Sequence, residues 1–355
     1  MKTKKWMIYG ANGYTGRLIV KQAQQRGLQP VVAGRNREAI EAIATETGLQ
    51  SSVFDLDNMA ATNEALKGVC VVLHCAGPFS ATSQAMIDAC LENACHYLDI
   101  TGEISVFANA HRQSDRARYA DIVLVPGVGF DVVPTDCLAV TLVKALPAAT
   151  KLTLAFETSG RMSPGTAKTS IEGFARGGCV RRDGKLKTVP LAWKTREVPF
   201  ENGNRLAVTI PWGDVFTAHI STGVPDIDVY MSASPSAILR MKRLRLLRPF
   251  LSMRWLQNML KKRIERTVTG PESSERQKSQ MQLWGKVTSA DGRSITATMT
   301  TSDGYDVTVD ASLGVVEYLL KHDVEGGFYT PSLLMGTDFA LGLPGVSMKL
   351  KPLKS

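Results

Sequence analysis

The sequence predicts an α/β chain: an N-terminal Rossmann-type doubly wound parallel sheet, then a second α+β domain built on a mainly antiparallel sheet. Three observations carry this. A glycine-punctuated turn, Gly10-Ala11-Asn12-Gly13-Tyr14-Thr15-Gly16, joins a short apolar run to an amphipathic helical pattern. Apolar runs then alternate with helical patterns as far as Pro126. After Pro147 short strands of alternating polarity and Asp-Gly turns take over. The expected domains are 1–130, binding a dinucleotide, and 131–322, serving substrate or dimerisation. The end of the chain, 323–355, is expected to pack back on the first domain.

The 355 residues suffice for two domains, and 44% hydrophobic with 21% charged residues describes a globular chain. No apolar run reaches membrane-spanning length, and the basic start, Met1 to Lys5, leads into a first strand rather than an export signal. A cytoplasmic protein is expected, with peripheral membrane attachment left open. The six cysteines form no CxxC pair, which fits free thiols, and no metal site is expected. The net charge of +9 is concentrated. Residues 240–266 hold ten basic side chains against the single acid Glu265, equal to the excess of the whole chain.

In order, residues 6–9 form the first strand. The glycine turn lets the backbone approach a pyrophosphate and aims a helix N-terminus at it, so Gly10, Asn12, Gly13, Tyr14, Thr15 and Gly16 are assigned to the cofactor. The second strand, 30–34, ends in Gly34-Arg35-Asn36-Arg37. No acid lies between Gly27 and Arg37 to bond both ribose hydroxyls, whereas a guanidinium suits a 2′-phosphate, so the cofactor is read as NADP (NADPH) rather than NAD. Asp55 ends a third strand at the adenine edge. The fourth, 69–75, opens into Ala76-Gly77-Pro78, and the fifth, 95–100, into Thr101-Gly102-Glu103. Loops at such strand ends are where these sheets bind ligands. A sixth strand, 122–126, leads into a glycine-rich stretch and Asp131.

In the second domain, strands are expected at 152–156, 206–210, 227–231, 295–299 and 305–309. Hairpin turns are expected at Asp183-Gly184, Asp291-Gly292 and Ser302-Asp303-Gly304, with Ser163 capping a helix. Residues 236–264 read as helix broken at Pro249, with a wide apolar surface that includes Leu247, Phe250, Leu251, Trp255 and Met259. The bland reading is a helix covering the sheet. The alternatives are an anionic membrane surface, an acidic acyl carrier protein or a homodimer contact. No nucleic-acid partner is expected.

The motifs at 10–16, Ala-Gly-Arg (33–35), Ala-Gly-Pro-Phe (76–79), Tyr-Leu-Asp-Ile-Thr-Gly-Glu (97–103) and Gly-Phe-Asp-Val-Val-Pro-Thr-Asp (129–136) resemble the saccharopine dehydrogenase-like oxidoreductases, in particular their bacterial trans-acting enoyl reductase branch. Ser-Pro-Gly-Thr (163–166), Trp-Gly-Asp (212–214), Ser-Thr-Gly-Val-Pro (221–225) and Gly-Phe-Tyr-Thr-Pro (327–331) look similar too. The resemblance implies an NADP-binding Rossmann domain with an inserted α+β domain, and an oxidoreductase acting on a small or acyl-carrier-bound substrate. One reading is hydride delivery to the C=C of an enoyl thioester, with Tyr97, Asp131 and Glu103 as candidate acids. No Tyr-x-x-x-Lys pair is present, since Tyr318 and Lys321 are three apart. A second reading is imine reduction, with Arg161, Arg176, Arg181 and Arg182 facing substrate carboxylates. A third is a non-enzymatic NADP sensor or scaffold.

Overall fold

A computed structural model describes residues 4–157, 161–245 and 253–354. The chain divides into two compact units, Met1–Phe130 with Thr308–Pro331, and Asp131–Val307 with Ser332–Ser355. In chain order the strands are β1 (Lys5–Tyr9), β2 (Val31–Gly34), β3 (Ser51–Val53), β4 (Val69–His74), β5 (His96–Asp99), β6 (Val123–Val125), β7 (Ala149–Glu157), β8 (Gly178–Arg182), β9 (Lys185–Val189), β10 (Thr195–Phe200), β11 (Gly203–Thr209), β12 (Asp226–Ser232), β13 (Gln280–Ser289), β14 (Ser294–Ser302), β15 (Gly327–Phe328) and β16 (Ser347–Lys354).

The first unit is a parallel sheet in the order β15-β6-β5-β4-β1-β2-β3, its strands joined by helices. Its central strands are apolar throughout because helices cover both faces; Met7, Ile8, Val71, Val72, Leu73, Leu98 and Leu124 are fully buried. Asn36 and Asn58 cap helices Arg37–Thr47 and Met59–Leu66 through side-chain oxygens, and left-handed Gly48 ends the first of these. Arg26 locks the unit across the sequence, pairing with Asp310 at 2.5 Å and Glu317 at 3.0 Å.

The second unit is a nine-stranded sheet whose main path runs β10-β11-β12-β7-β13-β14-β16, with β8 branching from β12 and β9 from β8. The Asp183-Gly184 and Asp291-Gly292 hairpins join β8 to β9 and β13 to β14. The sheet is antiparallel except for the β12–β7 pair, which is parallel. Among the described residues no helix is long and apolar enough to cross a membrane.

Four expectations change. Residues 305–309 are helical, part of helix Gly304–Lys321, not a strand. Asp303 accepts the Tyr305 N–H at 2.9 Å, so Ser302-Asp303-Gly304 starts a helix instead of turning a hairpin. The β-branched alternation misleads because this helix is buried on more than one side, at Val307, Ala311, Leu313, Val315 and Val316. Residues 323–355 divide. Gly327–Phe328, read as loop, adds a seventh parallel strand beside β6, whereas β16 pairs antiparallel with β14 in the second sheet. The helix expected to begin at Gln84 begins at Phe79, where the Glu103 carboxylate receives its first N–H groups. Of the basic segment, helices Pro235–Leu244 and Arg254–Thr267 are described; the break at Pro249, with Leu247, Arg248, Phe250 and Leu251, lies outside the described residues.

Candidate nucleotide site and buried acids

The turn after β1 is fixed by the sheet. The Gly10 and Ala11 N–H groups donate to the Ala33 carbonyl of β2 at 2.8 and 3.1 Å, and Gly13 N–H to the Gly10 carbonyl at 3.0 Å. The three glycines do different work. Gly10 has φ +85°, and a Cβ there would lie 2.7 Å from the Ala76 nitrogen; one on Gly16 would lie 2.3 Å from the Gly10 oxygen. At Gly13 a Cβ would meet only the Gly10 oxygen, at 3.3 Å. Gly10 and Gly16 therefore serve packing, while a Cβ on Gly13 would meet that one oxygen and no side chain within 4 Å. Helix Tyr14–Gln25 starts there with no side-chain cap and no acid in its first turn. A positive helix terminus beside a side-chain-free cradle fits the pyrophosphate of a dinucleotide.

At the end of β2 the four assigned residues part company. Asn36 caps its helix through Ala39 N–H (3.1 Å) and Arg37 pairs with Glu41 one turn on (2.9 Å). Arg35 is exposed and forms no ion pair among the described residues. Asp55 accepts the Asp57 N–H of its own loop at 3.2 Å. Tyr9 feels both the Asp55 and the Arg35 charge, its hydroxyl donating to the Phe54 carbonyl at 3.2 Å; burial first, then the Asp55 charge, push its phenol up to about 12. Arg35→Ala is expected to weaken NADPH binding by about 1.5–3 kcal/mol and leave NADH almost unaffected, because only NADPH offers the 2′-phosphate. Titration of both cofactors against both proteins checks this, and equal wild-type affinities would refute it.

The loops after β5 and β6 are tied together by Asp99, which carries no role in the reading of the sequence. Its Oδ1 accepts the N–H groups of Thr101 and Gly127, both at 2.9 Å, and its Oδ2 the Tyr97 hydroxyl at 2.7 Å. Burial pushes the Asp99 carboxyl up to about 6 in spite of these donors. Tyr97 is thus interior, and burial followed by the neighbouring Asp99 charge raises its phenol well above the ordinary value. Glu103 is buried too, both its oxygens accepting backbone N–H groups, from Phe79 at 3.0 Å and Ser80 at 3.2 Å. Two of the three candidate acids are therefore engaged in fixing the Ala76-Gly77-Pro78 and Thr101-Gly102 loops. His74 supports the first of these loops. Thr82 gives its hydroxyl hydrogen to the Ala76 carbonyl (2.7 Å) and so accepts from His74 Nε2–H (2.9 Å). The ring stays neutral, burial holding it down to about 3.

In the second unit, Asp131 is partly buried and its carbonyl accepts the Trp212 indole N–H at 2.8 Å. Burial pushes its carboxyl up to about 7. Asp136 is fully buried, accepting from Ser221 Oγ and from Ser332 N–H at 2.8 Å. Asp214 opens helix Asp214–Thr222, is fully buried, and neither of its oxygens has a hydrogen-bond partner among the described residues. Neighbouring Thr135 directs its hydroxyl at the Val132 carbonyl (3.1 Å) instead. Burial holds the Asp214 carboxyl well above its ordinary range; the nearby Thr135 side chain opposes this, and the Asp136 and Asp131 charges add to it. A raised folded-state value means the folded chain keeps the proton more tightly, so stability falls as pH rises past the unfolded value near 4. Asp214→Asn should match wild type at pH 4 and exceed it at pH 8, each kcal/mol appearing as about 2–4 °C in Tm. Thermal melts across pH check this; parallel curves would refute it.

The arginines considered for substrate carboxylates are occupied or peripheral. Arg181 is buried and donates to the Val215 carbonyl (2.9 Å) and the Gly184 carbonyl (2.6 Å), and Arg182 forks onto Asp228 at 2.6 and 2.7 Å. Arg161 is exposed, and the Arg176 side chain lies outside the described residues.

Residues 6–123 match the family described as the saccharopine dehydrogenase NADP binding domain. A human saccharopine dehydrogenase-like oxidoreductase is 26% identical over 150 residues, covering 37% of this chain and 35% of that protein. A Mycobacterium tuberculosis protein provisionally named a trans-acting enoyl reductase is 26% identical over 141 residues, covering 37% and 33%. The chain thus spans about a third of the length of these two relatives. Apo saccharopine dehydrogenase (L-Glu forming) from Saccharomyces cerevisiae superposes with a TM-score of 0.68 over 99% of this chain and 100% of that one, at 13% identity, which establishes a shared fold.

Proposed function

We propose that this chain, whose first unit carries the saccharopine dehydrogenase NADP-binding domain, is an NADPH-dependent oxidoreductase that reduces the C=C of an enoyl thioester. When bound, the cofactor supplies the hydride. The chain's own part is to hold the pyrophosphate at Gly13 and the helix after it, to take the 2′-phosphate on Arg35, and to furnish a proton. The observation that carries the reading is Asp131. With its carboxyl pushed up to about 7, about half of it keeps its proton at neutral pH, whereas an ordinary aspartate is ionised there, so it can act as a proton donor. Tyr97 and Glu103 act in this reading as positioning residues.

C=C reduction draws support over C=N from Arg181 and Arg182, which are committed within the second unit; of the other two arginines, Arg161 is exposed and the Arg176 side chain lies outside the described residues. The imine reading draws its support from the name shared by the saccharopine dehydrogenase-like relatives. The test is NADPH oxidation followed by absorbance, with an enoyl thioester in one cuvette and a 2-oxo acid plus an amino acid in the other. Turnover of the thioester alone is expected. Turnover of the second mixture alone would install the imine reading, and NADPH binding without turnover of either would favour a sensor or scaffold.

A further inference from the structure

Helix Arg254–Thr267 packs on helix Pro164–Arg176, and Leu256, Leu260 and Ile264, four residues apart, are its half-buried side. Its other side is unusual. Trp255 is 65% exposed and Met259 53% exposed, and the same stripe continues through exposed Lys262, Arg263 and Arg266. At the 3.6-residue period these five fall within an arc of about 100°. None of the three cations forms an ion pair among the described residues. Helix Pro235–Leu244 repeats the combination with Leu239, 49% exposed, beside exposed Arg240, Lys242 and Arg243. Arg245 is different, since it donates to the Leu191 and Ala192 carbonyls and serves the fold.

A helix that only covered a sheet would turn Trp255 and Met259 inward. Here the largest apolar side chains face out, beside cations that form no ion pair among the described residues. We propose that this face seats on an anionic lipid bilayer, with Trp255 and Met259 at the headgroup boundary and Lys262, Arg263 and Arg266 against lipid phosphates. An acidic carrier protein would answer the charge but not the outward tryptophan and methionine, which match the half-wet, half-apolar boundary of a bilayer.

The full-length protein should co-sediment with phosphatidylcholine vesicles containing about 30% phosphatidylglycerol and not with pure phosphatidylcholine, and the binding should weaken as salt shortens the screening length below about 10 Å. Two variants separate the contributions: Trp255→Ser with Met259→Ser, and Lys262→Glu with Arg263→Glu and Arg266→Glu. Each should lower vesicle affinity on the order of tenfold or more with an unchanged melting curve and NADPH affinity. Wild-type protein that stays in the supernatant, that sediments equally with neutral vesicles, or whose sedimentation neither variant reduces would overturn the proposal. So would failure to sediment combined with salt-sensitive binding to an acidic acyl carrier protein.

Discussion

Gly13→Val is expected to abolish NADPH binding while the protein stays folded, and Gly16→Ala to destabilise the first unit strongly. Both add carbon to the same turn, so the contrast is a sharp test of where the cofactor lies. Gly13 has φ −71° and ψ 165°, a conformation open to any residue, and its Cβ direction meets only the Gly10 oxygen at 3.3 Å. The valine methyls would stand where a pyrophosphate must come within hydrogen-bond distance of the backbone, so affinity should fall on the order of a hundredfold or more. At Gly16 a single methyl would sit 2.3 Å from the Gly10 oxygen and 3.0 Å from the Ala11 Cα, both backbone atoms of a turn pinned to β2. Helix and turn would have to separate, at a cost of about 3 kcal/mol or more, seen as a Tm loss on the order of 6–12 °C. Melting curves and cofactor titration on the two variants decide the matter. Normal NADPH affinity in Gly13→Val would move the pyrophosphate elsewhere.

Asp131→Asn should lower kcat by about two to four orders of magnitude, the usual loss when a general acid is removed, without changing NADPH affinity. The pH profile carries the sign. A carboxyl with its value pushed up to about 7 is protonated below that pH and ionised above it. Wild-type kcat/KM should therefore be level below about pH 7 and decline above it, whereas the residual activity of the variant should lack that limb. A variant that keeps full activity, or a wild-type rate that rises through pH 7, would remove Asp131 from the proton-transfer role.

Much of the first unit was legible because its signals are local. Gly10, Gly13 and Gly16 mark the turn, and 69–75 reads as a strand because all of it but His74 is apolar. Arg35 could be singled out because an acid is missing from the place where NAD needs one. The less legible features depend on distance in sequence. β15 is two residues long and becomes a strand only by pairing with β6. Residues 305–309 alternate like a strand, but Asp303 caps them into a helix buried on several sides. Asp99 looked like one acid among several, since its three donors, from Tyr97, Thr101 and Gly127, converge only in the fold. Glu103 carries no sequence mark separating a helix-capping carboxylate from a catalytic one. Asp214 becomes informative only because neither of its oxygens has a hydrogen-bond partner among the described residues.

The pairing of β15 with β6, together with the bonds from Arg26 to Asp310 and Glu317, bears on how the chain is made. Synthesis runs from the N-terminus, so the six strands up to β6 emerge long before residues 308–331. Until those arrive, β6 presents an open edge of backbone N–H and C=O groups, and Arg26 lacks both carboxylates. A ribosome-bound fragment ending near residue 130 is a sheet with a template exposed for any passing strand. Closing that edge joins residues about 200 apart, and pairing Arg26 with Glu317 joins residues 291 apart, the kind of long loop closure that slows folding. The nucleotide-binding unit, although it begins the chain, is among the last parts to be completed. Fragments truncated before residue 327 should be prone to aggregate even though they contain every residue assigned to the cofactor.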